Sequence, residues 1–193
     1  MATYKSIAYD QVLGNPSAMV LLEEQTASTS ANLTFSSGID STYKEYIFTI
    51  ISSHPSTNPG ILSFQGTTDG TNYNVTITSS SFRAFHAEDD SELGLAYATN
   101  FDQAQGTALQ NLDSGSGNDN DKASSGYLHL YNPSSTTFIK HFNAQVSETN
   151  DGIVSHNHFT AGYFNTTSAI TGIRFQLNSG NIDTVTFKMY GVN

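Results

Sequence analysis

His156-Asn157-His158 is the stretch of this sequence best placed to do chemistry. On a strand, residues two apart point the same way, so both imidazoles share a face and make half of a grip for a first-row metal ion. The pattern of the metal-binding cupins adds a glutamate four or five residues beyond the second histidine. Here those positions hold Gly162 and Tyr163, and the nearest carboxylates, Glu148 and Asp151, lie upstream. Two ligands without a third make a poor site. No metal is therefore expected, and the histidines are read as facing solvent or an interface.

Other chemistry is weaker still. Asp113, Asp119, Asn120 and Asp121 offer oxygens of the kind calcium takes, but the EF-hand order is missing, so this reads as a solvated acidic loop. Glu88-Asp89-Asp90-Ser91-Glu92 reads the same way. Gly115-Ser116-Gly117 lacks the strand and helix that strain a nucleophile elbow, and no phosphate-cradling glycine loop occurs. Paired carboxylates for glycoside hydrolysis cannot be picked out by spacing. The expectation is a protein without catalytic residues or cofactor, and not an enzyme. Tyr97, Tyr127, Tyr131 and Tyr163 carry amphipathic rings suited to a sugar or a subunit. Core or interface is the preferred reading, and no ligand-binding residue is assigned.

Composition narrows the partners. Only 12% of the 193 residues are charged, and 17 acidic against 7 basic side chains leave a net charge of −10. Such a surface repels phosphate backbones and anionic membranes, so nucleic acid and membrane insertion are not expected. There is no cysteine, hence no disulfide or thiolate metal site. Met1-Ala2-Thr3-Tyr4-Lys5 lacks a signal-peptide layout, and no run approaches the roughly 20 apolar residues of a membrane helix. Synthesis in a cytosol follows as an expectation, with lysis the route by which an assembled particle would be released.

Period-two patterning organises the chain. Ile173, Phe175 and Leu177, then Val185, Phe187 and Met189, alternate on either side of Asn178-Ser179-Gly180-Asn181, which predicts a terminal hairpin. Further strands are expected over 31–36, 43–52, 61–66, 73–78, 82–87, 93–98, 127–131, 136–146 and 159–164. Residues 17–25 admit either an amphipathic helical turn or a strand, and residues 102–112 admit a short helix between strands. Residues 113–121 hold no apolar side chain to offset ordering entropy and read as loop. The organisation expected is an N-terminal arm over residues 1–25 and one all-β, antiparallel, jelly-roll-like sandwich over 26–193. The 43–51 and 136–146 strands bear large residues on both faces, so a neighbouring subunit is expected to cover them.

Several phrases carry a resemblance: Gly38-Ile39-Asp40-Ser41-Thr42-Tyr43-Lys44-Glu45-Tyr46, Leu130-Tyr131-Asn132-Pro133-Ser134-Ser135-Thr136-Thr137-Phe138-Ile139-Lys140-His141-Phe142, Ala161-Gly162-Tyr163-Phe164-Asn165-Thr166-Thr167, and Ser179-Gly180-Asn181-Ile182-Asp183 with Tyr190-Gly191. Over residues 17–193 the chain resembles structural proteins, of head-decoration or fibre type, from tailed bacteriophages of marine bacteria. The resemblance implies a virion component without catalytic residues, exposed on the released particle as a head decoration or a short fibre. A homo-oligomer, taken as a trimer, bound to other virion proteins is the expected assembly. A receptor-binding tail-fibre head holding a host-surface glycan is the alternative, and a glycan-active enzyme on the same fold a third.

Overall fold

The structure, a computed structural model, describes residues 18–193. They form thirteen strands: β1 (Met19–Ser30), β2 (Leu33–Phe35), β3 (Glu45–Pro55), β4 (Leu62–Thr67), β5 (Ile77–Ala87), β6 (Leu93–Tyr97), β7 (Ala104–Gly106), β8 (Gln110–Asn111), β9 (Ser124–Tyr131), β10 (Lys140–Thr149), β11 (Val154–Phe164), β12 (Gly172–Leu177) and β13 (Ile182–Val192). Among the described residues there is no helix. A large sheet runs β1-β13-β3-β9-β10-β11-β5-β6, with β7 also on β5, and a small one runs β2-β12-β4-β8. The pairings are antiparallel, as expected for an all-β sandwich.

Alternation decides which side chains meet between the sheets. Tyr46, Phe48 and Ile50 of β3, Ile173, Phe175 and Leu177 of β12, and Val185, Phe187 and Met189 of β13 are all buried in one core. Rings lock the layers together. Phe35 of β2 meets Phe48 edge-on at 5.3 Å, Phe64 of β4 meets Phe142 of β10 at 5.1 Å, and Phe175 stacks on Phe187 at 4.4 Å. Such pairs contribute about 0.5–1.5 kcal/mol each beyond the area they bury.

Several expectations need correction. The arm expected over residues 1–25 lies outside the described residues as far as residue 17. From Met19 the chain is β1, paired with β13 from Met19↔Val192 to Ser30↔Ile182. Residues 102–112 hold no helix, because long-range side-chain bonds dictate the path: Gln110 donates to Phe101 O at 2.6 Å and Gln65 to Ala108 O at 2.9 Å. The expected 136–146 strand begins at Lys140, and Phe138 sits exposed in the preceding loop. Nor is that strand apolar on both faces, since its outward residues are His141, Asn143, Gln145 and Ser147. Residues 113–121 are not a uniformly solvated loop either: Asp113 and Ser116 are fully buried, while Asp119, Asn120 and Asp121 are exposed.

The sheets are unequal, and this positions the site. Four strands cannot cover the inner face of the larger sheet. Over β5 and β11 the segment after β6 takes their place, laying Phe101 against His158, Gln110 against Ser79 and Ser114 against His156.

Candidate functional site

Glu148 and His156 face each other across the β10–β11 hairpin, two pairs beyond Val146 and His158 and on the same face. The inward face of β10 runs Phe142, Ala144, Val146, Glu148, and that of β11 runs His156, His158, Thr160, Phe164. Both strands therefore leave the apolar core and end in polar side chains that still point inward. The loop that carries Asp113, Ser114 and Gly115 covers them there.

That loop is bonded to Glu148 at both carboxylate oxygens. The Ser114 and Gly115 N–H groups donate to Oε2 at 3.0 and 2.9 Å, and the Ser114 hydroxyl donates to Oε1. His156 Nδ1 lies 2.8 Å from Oε1 and 3.0 Å from Ser114 Oγ. His158 Nε2 lies 3.2 Å from the same Oγ and 3.5 Å from Oε1. Gly115 makes the path possible: its φ is +112°, and a Cβ there would meet Pro59 Cβ at 2.8 Å.

Two buried carboxyl groups share this end of the sandwich and are driven apart. Burial pushes Glu148 up, but hydrogen bonds from His156, His158 and Ser114 together outweigh it and hold the carboxyl at about 2. Burial, and then the charge of Glu148, push Asp113 well above the usual carboxylate range. Asp113 is bonded to Leu62 N–H at 2.8 Å and to the Ser124 hydroxyl at 2.7 Å, which fixes the entry to the loop.

Serine, histidine and glutamate meet here, yet not in the order of a hydrolytic relay. A relay uses opposite nitrogens of one imidazole, one toward the serine and one toward the carboxylate. In this cluster Ser114 Oγ and Glu148 Oε1 both face Nδ1 of His156. What the atoms do share is a common centre: one ligand atom each from Glu148, His156 and His158 lies within 4.8 Å of the others. An open cleft of about 370 Å³, lined in part by Pro59, Arg83, Phe85, Phe101, Ser114 and His156, reaches the cluster from outside.

The two histidines share a face, as the sequence indicates, but they are buried rather than solvent-facing or interfacial. The carboxylate that the sequence seemed to lack beside them comes from the neighbouring strand. Its signal was the Asn150-Asp151-Gly152 turn, since a hairpin centred on Gly152 sets Glu148 opposite His156.

Other residues singled out by type lie elsewhere. Asp119 pairs with Lys122 at 3.1 Å, and Asp113 does not join it. The 88–92 corner is exposed, with Asp90 2.9 Å from His86. The four tyrosines all lie on the outer face of the large sheet. Tyr97, Phe82, Phe159, Gln145 and Tyr127 form one row across it, strand by strand. Phe82 and Phe159 stack at 4.9 Å, Tyr97 donates to Asp102 at 2.7 Å, and Tyr131 donates to Asn143 at 2.6 Å. At the free edge Leu93, Leu95 and Tyr97 are 68%, 72% and 57% exposed. No protein-family model, curated protein or solved structure matches this chain.

Proposed function

We propose that this chain is a non-enzymatic structural protein of a bacteriophage particle, exposed on the particle surface as a head decoration or short fibre. It serves assembly, shell stabilisation or host attachment, and it works as a homo-oligomer, a trimer in the simplest arrangement. The apolar edge carries this reading. Leu93, Leu95, Tyr97 and the stacked Phe82–Phe159 pair form a continuous outward apolar surface at a strand that has no further partner among the described residues. A free, apolar edge strand is an aggregation hazard unless another chain covers it, and a second copy of this chain supplies that cover.

The strand order adds support. Without the β5–β7 and β10–β11 insertions, eight strands remain, ordered β1-β13-β3-β9 and β2-β12-β4-β8. Every connection except β4 to β8 crosses between the sheets, the wrapping of a jelly roll, an architecture that recurs in viral shells and in lectins. The acidic charge keeps such a protein off packaged nucleic acid.

Glycan recognition by a tail-fibre head is the second reading. It is favoured by an outward cleft of about 360 Å³ beside β10, β11 and β5, where Tyr163 and His141 meet edge-on at 5.8 Å.

A micrograph-derived structure of the parent particle tests the first reading. Leu93, Leu95 and Tyr97 are expected at a contact between copies, and solvent at all three in every copy would refute it. In solution, a Leu93→Ser/Leu95→Ser variant should keep its melting temperature while its molar mass by light scattering falls from oligomer to monomer.

A further inference from the structure

We propose that Glu148, His156 and His158 bind one divalent first-row transition ion of the zinc class, which joins β10 and β11 at the base of the 113–117 loop. This site is independent of the assembly reading above. The donor set is right: two imidazoles and a carboxylate are what Zn²⁺ and its neighbours take, whereas Ca²⁺ and Mg²⁺ take oxygens. The spacing is right as well. Ligands at about 2.0–2.1 Å around a tetrahedral ion stand roughly 3.3 Å from one another. Here Oε1 of Glu148 is 2.8 Å from His156 Nδ1 and 3.5 Å from His158 Nε2.

Hydrogen bonding within this buried cluster leaves His158 Nδ1 unpaired. His158 is 1% exposed, its Nδ1 has no partner, and its Nε2 faces the Ser114 hydroxyl at 3.2 Å and Glu148 Oε1 at 3.5 Å. The hydroxyl in question, that of Ser114, faces a carboxylate oxygen and two ring nitrogens with one proton to give. An ion at the common centre takes lone pairs of His156 Nδ1, His158 Nε2 and Glu148 Oε1 together, which the single proton of this hydroxyl cannot.

The surroundings hold the carboxylate and the rings in place and leave a way in. Glu148 is oriented by the Ser114 and Gly115 N–H groups on its other oxygen. Phe85 and Phe101 stand edge-on to His156 and His158 at 6.0 and 5.6 Å, which restricts the rings. The open cleft past Ser114 gives the ion a way in.

The test uses untagged protein stripped by a chelator and titrated with Zn²⁺, followed by calorimetry and elemental analysis. One equivalent per chain is expected, with a rise in melting temperature of roughly 5–10 °C at saturating ion. Co²⁺ in its place should give the intense visible band of a tetrahedral site. His156→Ala/His158→Ala should weaken binding at least ~100-fold, more than the loss of a mere orienting group. His86→Ala, which alters an exposed histidine, should leave binding unchanged. X-ray absorption on the wild-type zinc protein needs no variant and should show two imidazoles on the metal. Failure to bind one equivalent, equal affinity in the double variant, or fewer than two imidazoles would each overturn the proposal.

Discussion

Removing the Glu148 side chain should release the 113–117 loop, and the size of the effect follows from its partners. Glu148→Ala, studied in chelator so that no ion contributes, strands the Ser114 N–H, the Gly115 N–H, the Ser114 hydroxyl and the His156 ring at once. A hydrogen bond to a charged group contributes about 1.5–3 kcal/mol, and an abandoned buried donor costs about 1–3 kcal/mol. The four are not additive, because water entering through the cleft re-pairs part of the set. Breaking a buried charged cluster by deleting one member typically costs about 3–5 kcal/mol, and that is the expected loss here. For a domain of this length it corresponds to a fall in melting temperature of roughly 6–20 °C. Ser114→Ala, which deletes one hydroxyl and leaves both backbone donors paired, should lose about 1–2 kcal/mol. Urea unfolding of both variants measures the difference. Hydrogen exchange should show the Ser114 and Gly115 amides accelerated far more than the β3 and β13 amides in Glu148→Ala. A loss under ~1 kcal/mol, or loop amides that exchange as in the wild type, would mean that the carboxylate does not pin the loop.

Three further outcomes can be measured on the same footing. Asp113→Asn keeps an acceptor for Leu62 N–H and a partner for the Ser124 hydroxyl while removing a carboxyl from beside Glu148, so urea midpoints should hold or rise. Gly115→Ala places a methyl 2.8 Å from Pro59 Cβ at a φ of +112°, and a destabilisation of about 1–3 kcal/mol should appear in the same assay. Lys140 is fully buried with one bond, Nζ to Thr166 O at 3.0 Å, and burial lowers its pKa below 10.5. Between that lowered value and 10.5 the unfolded chain holds more protons than the folded one, so wild-type stability rises with pH across this window. Lys140→Met should abolish that alkaline gain in urea midpoints and change neutral stability little.

The fold was legible because most of its core strands place large apolar residues on a two-residue period. Phe175 and Leu177 alternate with Arg174 and Gln176, and Tyr46, Phe48 and Ile50 keep the same period although Ile47 and Ile51 lie on the opposite face. Stretches that failed to declare themselves lack that period. Residues 102–112 are placed by Gln110, which accepts from the Ser79 hydroxyl, and by Gln65, which donates to Ala108 O, both partners far away in sequence. No local pattern encodes such bonds. Phe82 and Phe159 were hidden by the opposite fault: phenylalanine reads as core, and these two stack on the outside.

The histidine pair was legible and its carboxylate was not, and the reason lies in how a β-sheet brings residues together. A site on one strand is read along the chain, two residues apart; a site across a hairpin is read by reflection through the turn. Glu148 sits four residues before Gly152 and His156 four after it, so the contact needed the turn to be recognised before the pairing could be counted. Burial had a second cause that no strand pattern carries. The smaller sheet has four strands, and where it ends the inner face of β5 and β11 is roofed by a loop. A roofing strand would have demanded apolar partners on β11. A loop brings N–H groups and a hydroxyl instead, and those tolerate Glu148, His156 and His158 at the depth of a core. The unequal sheets thus explain why this sandwich places its polar cluster at one end of its interior rather than on its surface.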